Sequence, residues 1–462
     1  MKTQFTAILT DRDLHTHIPH EFTVEPGTTQ IAIEFRYEPQ QVGAYKNLLT
    51  LTVFDPSGCR GAWHRLVPVQ SIAIGVTEST PGFLAGAIEP GVWNIVIDVH
   101  MALPDQPITY TIDISTTDTP IVSANSPAVE PSQSVGVTTR GAGWYRGNLH
   151  SHTLHSDGSW NIPDLLNWAR TEQLDFITLT DHNTVSGLQR ILQLSTPELL
   201  TMGGIELTTF YGHALALGIH NWLDWRIRDH YSIADIQRAV ENHNGQFIIA
   251  HPKAPGGAIC TGCAWEYADM MPGNAHSVEV WNSDWDGDSN NESAVQLWYG
   301  WLNQGYRLVA TAGTDIHRAP TMPPHYGYSV VYADDLTEAA ILQGIVEGHV
   351  YLSDGKVQLS FTAEDEGYPA VIMGDTVHVS DDALPQLSAQ VDGGETGDRL
   401  RLIVNGTVHA EVDLHSAHES TAPYSWSAEP SWQWALIEVR ASNGVLRALS
   451  NPIYLEWANP SE

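Results

Sequence analysis

The chain of 462 residues is too long for one typical domain, so roughly two or three are expected. It carries 54 Asp and Glu against 21 Lys and Arg, a formal net charge of −33 with no basic cluster, so neither nucleic acid nor an anionic membrane surface is expected as a partner. No run of ~18 apolar residues and no secretory leader is found, and the three cysteines cannot build a disulfide framework, so a cytoplasmic protein is expected.

From the N-terminus to residue 115 the pattern is short alternating runs broken by Pro and Gly. Glu21 to Val24, Gln30 to Phe35, Leu48 to Val53, Val92 to Ile97 and Ile108 to Ile112 read as strands, and residues 1–115 are expected to form a β-sandwich. His15-Thr16-His17 in this region has the spacing of a metal-ligand pair. No carboxylate-Gly turn follows it and no partner motif accompanies it, so a surface or loop role is the reading adopted. Residues 116–142 are rich in Thr, Ser, Pro and Val without periodicity, which is linker composition.

From Trp144 apolar β-type runs alternate with helix-length amphipathic segments. Trp144 to His150, Phe176 to Thr180, Met202 to Glu206, His213 to Leu217, Phe247 to Ala250, Val278 to Trp281 and Leu308 to Thr311 are the strands. Ile162 to Gln173, Ser232 to His243, Ser293 to Gln304 and Leu336 to Glu347 are the helices, with Ser232-Ile233-Ala234-Asp235 as a capping box. Such alternation predicts an α/β architecture over residues 143–352 with a mainly parallel sheet or barrel. After residue 352 it stops, and short strands from Val357 onward predict a smaller all-β domain over 353–462, expected to be a second sandwich.

The central strands end in chemically capable groups. His150 and His152, spaced i, i+2, project to one side of a strand, and Asp157 follows at a tight Asp-Gly turn. Later strands end in Asp181-His182-Asn183, Glu206, His251-Pro252-Lys253, Glu279 with Asn282, and Asp315-Ile316-His317; only His213 stands at the start of its run. In a barrel of parallel strands those ends converge on one mouth.

The ordered set H-x-H-T-x-x-S-D-G, T-D-H-N, G-I-E, G-H-A-L, A-H-P and G-T-D-I-H, over residues 143–352, resembles the PHP (polymerase and histidinol phosphatase) metal-dependent hydrolases. Trp144 to His150, Ala250 to Lys253 and Glu279 to Asn282 look most like its CehA/McbA-like branch. The resemblance implies a distorted (β/α)7 barrel of about seven strands with up to three divalent ions at its mouth, flanked here by N-terminal and C-terminal sandwiches. By motif, His150, His152, Glu206 and Asp315 would hold a first metal. Glu206, His213 and His251 would hold a second, making Glu206 a bridge, and Asp157, His182 and His317 a third. Some members carry His near the Asp157 position, a departure within the superfamily that bears on occupancy of the third site. His155 is out of strand register and is left out.

Mixed imidazole and carboxylate ligation suits Zn, Mn or Fe, two or three ions per chain. A metal-bridging hydroxide is the expected nucleophile, which makes Glu206 and Asp315 part of the catalytic set. Arg146, Lys253 and Arg318 are candidate clamps for substrate oxygens, or else ordinary ion-pair residues. Asp181 is expected to orient its neighbours; Glu279 and Asn282 have either a substrate-contacting or a structural role. Cys260-Thr261-Gly262-Cys263 lacks the second pair a structural zinc needs, so a mouth-loop disulfide or two thiols are expected. Asp284 to Asn290 imitates a calcium loop without the required Gly and Glu positions and is read as a solvated acidic loop. Three functions stay open: a phosphoesterase on a small-molecule substrate, a carbamate or ester hydrolase with the same metals, and a non-catalytic metal-braced binding module.

Overall fold

The computed structural model describes residues 2–67, 69–119, 139–322, 324–364, 370–379, 384–415 and 423–457. It is a mixed α/β chain in which strands predominate and helices are few. Most of the expected linker, residues 120–138, lies outside the described residues. No helix among the described residues is long and apolar enough to cross a membrane.

The N-terminal unit holds two four-stranded antiparallel sheets, ordered Lys2–Leu9, Ile108–Thr117, Gln30–Glu38, Val69–Gly75 and His17–Val24, Gly91–Met101, Leu48–Asp55, Gly58–Trp63. Gln30–Glu38 alternates between buried and open positions, the period that lets one face of a sheet meet a core. Both sheets send side chains to one core, with Ile33 and Ile112 from the first and Leu51 and Trp93 from the second. Ile108–Thr117 carries the last strand two residues past the boundary expected at 115.

The central strands are β1 (Gly143–Asn148), β2 (Phe176–Leu179), β3 (Leu200–Thr208), β4 (His213–Leu217), β5 (Gln246–Ile249), β6 (Ser277–Asn282) and β7 (Val309–Gly313). They pair in sequence order, and the run's two ends meet where the His152 amide donates to the Ile316 carbonyl and the Asp315 amide to His150. The expected mainly parallel order holds for four of the six pairs, with one strand as the exception. β4 is antiparallel to both β3 and β5, because a connection of only Thr209 to Gly212 makes a hairpin and is far too short for a parallel crossover. Helix α1 (Ile162–Thr171) is capped by Asn161, α2 is the short Leu188–Ile191, and α3 (Ile233–Asn242) starts in the capping box of Ser232 and Asp235. Next, α4 (Asn291–Asn303) buries Val295, Trp298, Trp301 and Leu302 in the central core.

Two further strands, β8 (Tyr328–Ala333) and β9 (Val350–Ser353), flank α5 (Glu338–Val346) and leave β1 on its other edge. β9 then pairs with Leu446–Ser450, so the sheet continues without a break into the C-terminal strands Trp434–Arg440, Arg399–Val404 and Thr407–Asp413. A separate four-stranded sheet carries Gln358–Glu364 and Gln386–Asp392, and Phe361, Leu387, Leu402 and Ile437 join the two sheets in one core.

Candidate metal centre

Every ligand candidate sits at the same end of the central strands. His150 and His152 follow β1, His182 follows β2, and Glu206 lies near the end of β3. His213 opens β4, opposite Thr208, and because β4 runs backwards its start is at that same end. His251 follows β5, while Asp315 and His317 follow β7. His251 and Asp315 take φ of 27° and 50°, left-handed backbone values that are uncommon outside glycine. Gly313 is needed beside them, because a Cβ there would stand 2.4 Å from Glu279 Oε1 and 2.5 Å from the Cβ of His150.

The nine side chains converge around Glu206. Its Oε2 lies 3.2 Å from Nε2 of both His150 and His152, and Asp315 Oδ1 lies 3.3 and 2.9 Å from the same two nitrogens. Its Oε1 lies 2.9 Å from His213 Nδ1 and 3.1 Å from His251 Nε2. His182 stands between, with Nδ1 3.0 Å from Glu206 and Nε2 3.5 Å from Asp157, and His317 Nε2 is 3.1 Å from Asp157. The groups His150, His152, Glu206, Asp315 and His152, Asp157, His182, His317 each offer donor atoms within 4.8 Å of one another, as do His182, Glu206 and His213.

These residues fit divalent ions. His150 Nε2, His152 Nε2, His213 Nε2, Glu206 Oε2 and Asp315 Oδ1 are buried and accept or donate no hydrogen bond, although polar atoms in such positions are normally satisfied. Donors held ~2.0–2.2 Å from a common ion stand about 3–3.5 Å apart, the spacing found here. Burial opposes a charge on Glu206, yet His182, His150 and His213 hold its pKa well below the usual range. Burial also opposes protonation of His150, while Asp315, Glu206 and Glu279 raise it well above. Bound metal would take the place of those protons.

Supporting contacts fix the ligands. Glu279 accepts from His150 Nδ1 at 3.1 Å, the His251 amide at 3.1 Å and Asn282 Nδ2 at 3.0 Å, so it orients two ligands and has no free face for substrate. Asp181 accepts from the Thr153 amide and hydroxyl and from Ser156, which sets the loop leading to Asp157. The Cys263 carbonyl faces His251 Nδ1 at 3.1 Å, and Cys263 is joined to Cys260 in a disulfide at the rim.

The three clamp candidates are not brought to this mouth. Arg146 lies four residues before His150, about 13 Å down an extended strand. Its guanidinium donates to the carbonyls of Gly355 and Glu172 and lines a different cavity. Lys253 lines a cavity with Glu292 and Gln296, because the chain turns at His251. Arg318 is exposed and does not line the metal cavity. Asp284 and Asp286 lie near His325, with the last two exposed to solvent. His15 and His17 face no metal ligand: they pack on Phe210, and His17 Nδ1 lies 2.7 Å from Asp98.

The cavity over the ligands has a volume of about 680 Å³. One of its walls escaped the sequence reading: Tyr45, Lys46, His64 and Arg65 come from the N-terminal unit. No motif marks them; only the docking of the two units brings them here.

No family model and no curated protein matches the sequence. Among the solved structures similar to it are three at 15% identity each. One is a two-domain protein of Bacteroides vulgatus containing a predicted PHP-like metal-dependent phosphoesterase, matched over 71% of this chain and 99% of that one with a TM-score of 0.39. The others are a candidate metal-dependent phosphoesterase of Bifidobacterium adolescentis (39% and 90% covered, TM-score 0.29) and an amidohydrolase of Chromobacterium violaceum (37% and 87%, TM-score 0.27).

Proposed function

We propose that the chain is a PHP-type metal-dependent hydrolase that cleaves a phosphate ester of a small molecule. One observation carries the reading: Glu206 presents its two oxygens to two different histidine sets, His150 and His152 on one side and His213 and His251 on the other. A carboxylate so placed bridges two cations. On this reading the seven central strands are the family's distorted barrel, with sandwiches on either side, and the phrases around Trp144, Ala250 and Glu279 support the CehA/McbA-like branch.

Divalent ions such as Zn, Mn or Fe acidify bound water towards neutral pH and polarise a phosphoryl oxygen. Three ligand carboxylates, Glu206, Asp315 and Asp157, against two or three divalent ions leave the site cationic, which favours an anionic substrate although the whole chain is acidic. Glu279 keeps the His150 ring turned to the ions, and Asp181 holds the loop that presents Asp157. In the overall step water's oxygen bonds to phosphorus, the bond from phosphorus to the alcohol oxygen breaks, and the alcohol leaves with a proton.

The test is turnover of p-nitrophenyl phosphate, bis-p-nitrophenyl phosphate and an aryl carbamate by protein loaded with manganese or zinc and assayed for metal content. Hydrolysis of the phosphate esters, lost on chelation and restored by metal, is the expected result. Turnover of the carbamate alone would move the reading to a carbonyl hydrolase. None at full metal occupancy would leave only a metal-braced module.

A further inference from the structure

The segment from His64 to Val67 leaves the N-terminal unit and crosses the metal cavity. The His64 ring lies 4.6 Å from that of His182, and its Nδ1 is buried without a hydrogen-bond partner. Next to it Arg65 donates to the carbonyls of Leu154 at 2.7 Å and Gly158 at 3.3 Å, which bracket Asp157. The wall is therefore tied to the loop that carries a ligand.

The two units are also firmly docked. Thr184 and Ser186 hydrogen-bond Gly82, Phe210 packs between His15, His17 and His100, and Phe54 lies against Trp222 and under Arg226. Above this seam the small hairpin of Gln41–Val42 and Tyr45–Lys46 reaches the same cavity. Lys46 has no ion-pair partner among the described residues, which is unexpected where 54 acidic residues face 21 basic ones. The outer rim is apolar, with Tyr45 48%, Leu66 45% and Ile259 74% exposed.

We infer that the N-terminal unit is part of the substrate site. Lys46, Arg65 and His64 receive the outer oxygens of a phosphoryl group whose inner oxygens face the metal ligands. Tyr45, Leu66 and Ile259 take a ring-sized apolar alcohol portion. The substrate class is thus an aryl or similarly apolar phosphate monoester rather than a small polar one. The placement follows the general form of ligand sites, in which a few polar groups fix an anionic head and apolar walls hold the rest. It rests on the hydrolase reading of the metal centre.

Binding of two phosphonates to the metal-loaded full chain, measured by calorimetry, tests it; neither probe is hydrolysed, so the result does not depend on turnover. Phenylphosphonate is expected to bind tighter than methylphosphonate. Tyr45→Ala should weaken phenylphosphonate about fivefold and leave methylphosphonate unchanged. Lys46→Ala should weaken both about fivefold. Metal content should stay at the wild-type value in both variants, whose side chains are exposed. A wild type that binds neither probe, binds both equally, or is matched by both variants overturns the inference. Discrimination that persists in a protein without phosphatase activity would sink the phosphoesterase reading, and with it the substrate class, and keep only the N-terminal unit as a wall of the ligand site; phosphatase turnover with unaltered variants would keep the phosphoesterase reading and sink this inference.

Discussion

Two parts of this molecule bury charge, and they do so in opposite ways. In the C-terminal region Arg440 donates to Glu438 at 2.6 Å and to Glu292 at 2.7 Å, and Arg447 reaches Asp354 at 3.0 Å and Asp398 at 2.7 Å. Each guanidinium fork is matched by carboxylates with hydrogen-bond geometry. At the central mouth, nitrogens and oxygens stand 2.9–3.3 Å apart, yet Glu206 Oε2, Asp315 Oδ1 and the Nε2 atoms of His150 and His152 make no hydrogen bond. Proximity is the same and direction differs. Matched charges hold elements together; donors aimed at a shared point serve something placed between them.

The largest effect that could break this contrast comes from Glu206→Gln. An amide keeps the shape but presents one oxygen, so the loss should reach both histidine sets. Turnover is expected to fall to background, with the content of two metals lowered together. Normal metal stoichiometry by elemental analysis, with normal activity, would end the bridging assignment.

Arg440→Ala should act on the other side of the comparison. It strands Glu438, which is 2% exposed, without its cation and cuts one of the links from α4 to the C-terminal sheet, leaving the Tyr299 hydroxyl on Glu438. Removing one partner of a buried pair costs roughly 3–5 kcal/mol, read as a lower denaturant midpoint. Metal content and activity per folded chain should not change. An unchanged midpoint would mean that this region's charges are not the braces described.

The contrast also explains what was readable in the sequence. His150, His152, Asp157, His182, Glu206, His213, His251, Asp315 and His317 each sit in a short phrase at a strand end, so chemistry and position travel together. The direction of β4 was readable in principle, since a four-residue connection dictates it, and it is what brings His213 to the mouth. Arg146 was misplaced because proximity along a strand was taken for proximity in space. The wall of Tyr45, Lys46, His64 and Arg65 had no local signature at all, because it exists only through contacts between units separated by some 100 residues. The continuous sheet from β9 into Leu446–Ser450 was equally hidden, since non-local pairing leaves no periodicity of its own.

The smallest effect concerns a matched pair nearer the surface, His349 at the end of α5 and Asp375 in the C-terminal region, 3.0 Å apart. The Asp375 hydrogen bond raises the pKa of His349 above 6.5, and although burial opposes it, His349 helps to lower that of Asp375 below 3.8. A raised histidine stabilises fully below its unfolded value of 6.5 and loses that contribution as pH rises through the folded value. The depressed carboxylate acts above its unfolded value and is lost only in acid. Solvent screens both partners, so the pair contributes less than about 1 kcal/mol. His349→Gln should therefore lower the melting temperature slightly at pH 6, with the gap to wild type closing as pH rises beyond the folded histidine value. A gap that widened with pH would mean that the histidine is neutral in the folded chain, and the pairing would then be no brace.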